Sequence, residues 1–215
     1  MLSVFFKRAR EDIAAFKERD PAARSSLEIY FLYPGAKAVR MHRRANFFFR
    51  HGRFFLARWI SQRCVRKTGI EIHPAAQIGR RLVIDHGTGV VIGETAEIGD
   101  NVTIYQGVTL GGTGKQMGKR HPTIGNGVMI GAGAKVLGPF KVGDNSQIAA
   151  GAVVLSEVPP NSTAVGVPAR VVKQDGKRLA LDQVHVPDPI SQKFCKMECE
   201  LEGLKERLAK LEEND

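Results

Sequence analysis

Ile92-Gly93-Glu94-Thr95-Ala96-Glu97-Ile98-Gly99-Asp100-Asn101-Val102-Thr103-Ile104 carries an aliphatic residue at every sixth place, and the same beat runs from Ile72 to Val154. Ile72, Ile78 and Ile84 open the series, and Ile92, Ile98, Ile104 and Leu110 continue it after a slip of two residues. Ile124, Ile130, Val136, Val142, Ile148 and Val154 follow a longer gap. A period of six matches neither an amphipathic helix nor plain strand alternation. It reads as a parallel β-solenoid, in which each hexad supplies one short strand and one corner and about 18 residues complete a triangular coil.

In that geometry the anchors point inward and stack. The fourth residue after an anchor is mostly apolar or small (Ala76, Leu82, Ala96, Val102, Val108, Val128, Ala134, Ala152), two places before the next anchor and so on the same strand face. Gly79, Gly93, Gly99, Gly125, Gly131 and Gly143 directly follow anchors, which suits corners with unusual backbone angles. A bare hexad array is compatible with a purely structural solenoid. What argues for chemistry is the content of the interruptions: Asp85-His86-Gly87-Thr88-Gly89, and the run from Gly111 to His121 that contains Lys115, Lys119 and Arg120. Ionisable residues gathered on loops of a rigid scaffold are where binding groups sit.

The rest of the chain of 215 residues is organised around this body. Residues 3–19 have helical spacing in Val4, Phe5, Ala9, Ile13 and Phe16 up to Asp20-Pro21, and residues 22–66 read as further helices with breaks near Pro34-Gly35 and Gly52. Aromatics interleaved with Arg43, Arg44, Arg50 and Arg53 suggest a nucleic-acid surface, but helical spacing makes the aromatics core and the arginines a solvated face. From Lys173 the chain turns polar and proline-broken, and Phe194, Met197, Leu201, Leu204, Leu208 and Leu211 then form a heptad seam. The expected division is a helical region at 1–68, a solenoid at 69–173, a linker at 174–192 and an amphipathic helix, a candidate coiled coil, at 193–215. The fold class is α+β.

Lys plus Arg number 32 and Asp plus Glu 22, a formal charge of +10 that steers anions toward the surface. Cys64, Cys195 and Cys199 are an odd set in a chain long enough to need no staples, which points to a reducing, cytoplasmic setting. No signal peptide and no membrane span are expected, since Met1 to Arg10 lacks an uninterrupted apolar run and the longest apolar cluster, Phe54 to Ile60, contains Arg58.

Taken together, Ile70-Glu71-Ile72-His73-Pro74, Asp85-His86-Gly87-Thr88-Gly89, Gly93-Glu94-Thr95, Gly111-Gly112-Thr113-Gly114-Lys115, Lys119-Arg120-His121-Pro122 and Gly166-Val167-Pro168-Ala169-Arg170 closely resemble the bacterial serine O-acetyltransferases of the hexapeptide acyltransferase superfamily. The resemblance covers nearly everything before the tail. It implies a left-handed parallel β-helix, against the usual right-handed crossover, and homotrimers with sites between neighbouring solenoids. The short N-terminus fits a trimer rather than a hexamer. The implied reaction moves acetyl from acetyl-CoA to the L-serine hydroxyl, within cysteine biosynthesis, with no metal and no acyl-enzyme. It also implies L-cysteine as a feedback inhibitor. The chain ends in Asp215 rather than the isoleucine with which relatives dock into a sulfhydrylase, so that complex is not expected.

By the same resemblance His86 is the general base and Glu71, where many relatives have Asp, orients its ring. Asp20 and Asp85 would hold the serine ammonium, Arg120 its carboxylate, and His121 would reach the pocket from the adjacent subunit. Gly112, Thr113, Ala132 and Ala150 would line the acetyl-CoA groove, with Lys115 and Arg170 as lesser phosphate contacts. Rival readings are a hexapeptide acetyltransferase for a sugar or an antibiotic, a carbonic anhydrase with interfacial zinc, and a scaffold trimer without catalysis.

Overall fold

In this computed structural model residues 2–114, 118–175 and Met197 are described. Four helices come first: α1 (Leu2–Arg19), α2 (Ser26–Leu32), α3 (Pro34–Arg50) and α4 (Phe54–Thr68). Ser25 caps α2 by accepting the Glu28 N–H at 3.1 Å. Tyr33 is extended (φ −70°, ψ 117°), as a residue before proline must be, and Pro34 then opens α3, so the predicted break falls one residue earlier than Pro34-Gly35. α4 ends on Gly69 in the left-handed region, whose N–H returns to the Val65 carbonyl.

The aromatics of this region do not form the expected core. Phe31, Phe54 and Phe55 are 60, 59 and 87% exposed, and Trp59 is 49% exposed. The buried face of α4 consists instead of Ala57, Ser61, Cys64 and Thr68, at helical spacing. These small side chains let the helix approach the first coil closely enough for Ser61 Oγ to donate to the Ile72 carbonyl at 2.9 Å. On the other side of the bundle, Ala15, Phe16, Ile29 and Ala36 cover the outward side chain of Val83. Arg19 ties α1 down by donating to the Val102 carbonyl at 3.1 Å.

Each side of the β-helix is a ladder of short parallel strands. The first sheet has five strands: β1 (Glu71–Ile72), β4 (Val91–Ile92), β7 (Thr109–Gly111), β10 (Lys135–Leu137) and β13 (Val153–Val154). The second has β2 (Gln77–Ile78), β5 (Glu97–Ile98), β8 (Thr123–Ile124) and β11 (Lys141–Val142). The third has β3 (Val83–Ile84), β6 (Thr103–Ile104), β9 (Met129–Ile130), β12 (Gln147–Ile148) and β14 (Ser162–Val165), closed by antiparallel β15 (Arg170–Gln174). Register gives the length of each coil. In the first sheet Glu71 pairs with Val91, 20 residues on, and Thr109 with Lys135, 26 on; Val91 to Thr109 and Lys135 to Val153 are both 18. The extra residues are the two interruptions read from the sequence.

The anchors and their companions are buried, with Ile104, Leu110, Ile130, Val136 and Val142 at 0% exposure; Ile78 alone of the anchors is only partly buried. Truncating a fully buried isoleucine to alanine in such a stack costs about 2–5 kcal/mol.

The glycines that follow anchors serve a different purpose from the expected one. None of Gly79, Gly93, Gly99, Gly125, Gly131 or Gly143 has a positive φ. At Gly79 a Cβ would lie 2.4 Å from Asp100 Oδ1, and that oxygen accepts the Arg80 N–H at 2.6 Å. The glycine makes room for a side chain of the next coil to cap the corner. The left-handed residue at this corner comes two places after it, as Arg81, Asn101, Gly127, Asn145 and Asn161 in successive coils.

The chain divides into two units, Met1–Lys177 and Arg178–Asp215. The expected linker from 176 onward and the tail helix lie outside the described residues, except for Met197, which is helical.

Candidate active site

The shorter interruption lies at the corner between the third and first sheets, after β3. Asp85 keeps the ladder, its N–H donating to Ile104, and the chain then reverses sharply as Gly87 and Thr88 donate to the carbonyls of Asp85 and His86 at 2.7 and 2.6 Å. His86 is held at φ +54°, a conformation unusual for a residue with a Cβ and typical of functional loops. Gly87 follows at φ +35°, where a Cβ would come within 2.4 Å of Ile70 Cδ1. The loop is thus pressed onto the core on one side while the His86 side chain, 78% exposed, points outward on the other.

Two acids accompany it. His86 Nε2 lies 3.8 Å from Asp85 Oδ1. Asp20, at the end of α1, accepts the Ala22 N–H at 2.8 Å and the Tyr33 hydroxyl at 2.6 Å. The segment carrying Tyr33 is seated on this loop by Gly35, where a Cβ would fall 1.9 Å from the Ile84 carbonyl oxygen. Six of the described acids pair with a Lys or Arg (Glu11 with Arg80, Asp12 with Arg43, Glu18 with Arg81, Glu71 with Arg58, Glu94 with Arg120 and Glu97 with Lys119), whereas Glu28, Asp100, Asp144, Glu157 and Asp175 do not. Asp20 and Asp85 pair with no Lys or Arg among the described residues.

The longer interruption leaves β7 at the corner between the first and second sheets and returns through Arg120 and His121. Thr95 organises it. Its Oγ1 accepts the N–H groups of Arg120 and His121 at 3.0 and 3.1 Å, which leaves its own proton for His121 Nδ1 at 2.9 Å. Because Nδ1 also accepts the Thr95 N–H at 3.2 Å, the ring is the neutral tautomer with its proton on Nε2. Burial, then the Arg120 charge, hold the His121 pKa below the ordinary histidine value. The ring occupies the place of a missing side chain: a Cβ on Gly93 would fall 1.9 Å from His121 Cδ2. Arg120 is bonded to Glu94, whose pKa that bond lowers.

The two loops stand at opposite edges of the five-stranded sheet, one leading into β4 and the other leaving β7. Within one chain, Asp85 and His86 are neighbours and Asp20 is tied to the same corner through Tyr33, whereas Arg120 and His121 stand together on the other edge. Ala132 and Ala150 fall on the His86 edge in later coils, stacked so that the Gly151 N–H donates to the Ala132 carbonyl at 2.8 Å. Gly112 and Thr113 fall on the other edge, where the space beside Gly112 is bordered by Arg120 Cγ at 3.0 Å.

The expected pairing of Glu71 with His86 is not the one observed in the single chain. Glu71 adjoins the loop, its N–H donating to the Val90 carbonyl at 2.8 Å, but its carboxylate turns to Arg58 of α4 at 3.6 Å and the acid beside His86 is Asp85. Arg58 projects over β1 because α4 packs directly beneath it. Three residues with a part in this geometry were given no site role by the sequence: Tyr33, and Glu94 and Thr95 of the Gly93-Glu94-Thr95 motif. Glu94 and Thr95 follow Gly93 in a corner whose polarity was visible, whereas Tyr33 gave no signal beyond preceding Pro34-Gly35. Among the described residues no three His, Cys, Asp or Glu side chains gather as a metal site.

The family model for the bacterial transferase hexapeptide (six repeats) matches residues 121–156. A serine acetyltransferase of Bacillus pumilus (strain SAFR-032) is 56% identical over 210 residues, 97% of each chain. Among solved structures, a serine acetyltransferase in complex with cysteine superposes with a TM-score of 0.79 at 43% identity, covering 82% of this chain and 68% of that one. The Neisseria gonorrhoeae serine acetyltransferase in complex with serine gives 0.77 at 45% identity, covering 80% and 70%. With a left-handed β-helix, its two loaded corners and identity held across nearly the whole length, this chain belongs to the serine acetyltransferase family.

Proposed function

We propose that the protein transfers the acetyl group of acetyl-CoA to the hydroxyl of L-serine, giving O-acetyl-L-serine and CoA, through a site shared between two chains of a homotrimer. The observation that carries this reading is the corner at which Asp85 stands beside His86 and Asp20 holds the hydroxyl of Tyr33, neither acid pairing with a Lys or Arg among the described residues of a chain of net charge +10. Acids kept unpaired in a cationic protein suit a cationic group brought by the substrate, and the serine ammonium is such a group. Arg120 and His121, on the opposite edge of the sheet, are suited to the serine carboxylate, which would take the Arg120 fork from Glu94. A cyclic trimer makes heterologous contacts, so one chain's His86 edge can meet the next chain's Arg120 edge.

His86 then acts as the base. Its neutral ring takes the hydroxyl proton as the serine oxygen bonds to the thioester carbonyl carbon; the tetrahedral adduct collapses, the carbon–sulfur bond breaks, and the imidazolium returns the proton to the leaving thiolate. Glu71 stabilises the imidazolium by swinging from Arg58, a half-exposed and long ion pair of little worth to stability. Gly112 and Thr113 from one edge and Ala132 and Ala150 from the other supply small residues for the acetyl-CoA groove, and the positive surface attracts its phosphates. L-Cysteine shares the ammonium and carboxylate of serine and would compete for the same pocket. The free, buried Cys64 supports a reducing compartment, the cytoplasm.

The test is thiol release from acetyl-CoA over a panel of acceptors. L-Serine is expected to be turned over and galactosides not, with inhibition by L-cysteine relieved by added serine. Turnover of a galactoside with none of serine would overturn the assignment.

A further inference from the structure

Among the described residues, Tyr33 is the side chain bonded to Asp20, and it belongs to no motif. Its ring stands edge-on to Phe16 at 5.9 Å and packs against the cluster of Ala15, Phe16, Ile29, Ala36 and Val83, while its hydroxyl reaches out to Asp20 Oδ2. The seating of Gly35 on the Ile84 carbonyl fixes this segment against the strand that runs directly into Asp85 and His86. The phenol is therefore bonded to Asp20 and stands within electrostatic reach of Asp85.

We propose that Tyr33 is a specificity-determining residue of the ammonium site: its hydroxyl proton holds Asp20 in place, and its oxygen is the third acceptor, beside Asp20 and Asp85, for the three N–H groups of a primary ammonium. This rests on the reading of L-serine as acceptor. A phenol has one donor and further acceptor capacity, so donating to Asp20 fixes the hydroxyl rotor and turns a lone pair away from that acid. The proton stays on the oxygen at every working pH, because the bond to Asp20 first, then burial and the charges of Asp20, Glu28 and Asp85, push the Tyr33 pKa up to about 12. Asp20 retains capacity for the substrate as well, since the Ala22 N–H and Tyr33 use two of its roughly four lone-pair positions.

The experiment compares Tyr33→Phe with wild type, using L-serine as substrate and 3-hydroxypropionate, which is serine without its ammonium, as a competitive inhibitor. Phenylalanine keeps the ring packing and removes the hydroxyl alone. The KM for L-serine should rise about tenfold, the scale of one lost hydrogen bond to a charged group, with kcat within about twofold and the KM for acetyl-CoA unchanged. The inhibition constant of 3-hydroxypropionate should not move. Tyr33→Leu, which also removes the ring, should change the ratio of serine KM to 3-hydroxypropionate inhibition constant by the same factor, and this ratio is insensitive to how much enzyme folds. An unchanged ratio in both variants, with serine turned over by wild type, overturns the role of Tyr33 alone. Failure of the wild type to acetylate serine removes the reading beneath it as well.

Discussion

The two edges of the five-stranded sheet carry opposite chemistry. At the edge leading into β4, Asp20 and Asp85 pair with no Lys or Arg among the described residues, and His86, beside Asp85, is exposed on a left-handed turn. At the edge leaving β7, the described ionisable groups are answered: Arg120 by Glu94, Lys119 by Glu97, and His121 by Thr95 and by the hollow over Gly93. One edge is an open acid and the other a compensated base. An α-amino acid carries both charges, so neither edge recognises it alone. The coil keeps the two a full strand apart within a chain, and in the proposed trimer a second chain closes the gap.

The sharpest way to break this comparison is to disable one edge at a time. His86→Ala should lower serine acetylation about 10²- to 10⁴-fold, the scale of a lost general base, and Arg120→Ala should lower it through loss of the carboxylate contact. Co-refolded in equal amounts, the two inactive variants should recover about a quarter of wild-type activity, the statistical share of intact sites if three chains assort at random in a ring. Mixed trimers that stay inactive would show both edges of a site to come from one chain.

A second test separates space reserved for chemistry from space reserved for folding. Gly93 and Gly79 follow anchors in the same way, yet a Cβ on Gly93 would strike the His121 ring and one on Gly79 the capping Asp100 carboxylate. Both Gly→Ala changes should lower stability by about 1–3 kcal/mol through overpacking. Gly93→Ala alone should also reduce kcat/KM, by up to about 100-fold for a displaced site group. Equal losses of activity in the two variants would erase the distinction.

That distinction marks the limit of what the chain could disclose by itself. The hexad beat and its two slips were readable because insertions of two and eight residues shift the phase of every later anchor, and the coordinates place them between β3 and β4 and between β7 and β8. A glycine after an anchor looks the same whether it frees a torsion or clears space for an atom in the next coil, so the reason for Gly93 and Gly79 was misread. The helical aromatics misled in a related way. Periodicity marks a face, but the small residues Ala57, Ser61 and Cys64 decide which face can come close. Tyr33 and the Glu71–Arg58 contact depend on how α2, α3 and α4 dock on the first coil, a tertiary matter with no local signal.

The smallest effect concerns protonation on the compensated edge. His121 is held below the ordinary histidine value of about 6.5 by burial first and the Arg120 charge second. As pH falls below that value the unfolded chain takes up the proton before the folded one does. The stability contributed by the neutral ring is therefore fully present above about pH 6.5 and declines as pH falls toward the folded value. Arg120→Ala removes the second cause, and also frees Glu94, whose charge favours the imidazolium, so both changes act upward on the His121 pKa. Titration of the His121 ring by NMR should show a value below 6.5 in wild type that rises in Arg120→Ala. A wild-type value at or above 6.5 would mean that burial and the Arg120 charge do not outweigh the opposing charge of Glu94, and the compensated edge would carry one more titrating group.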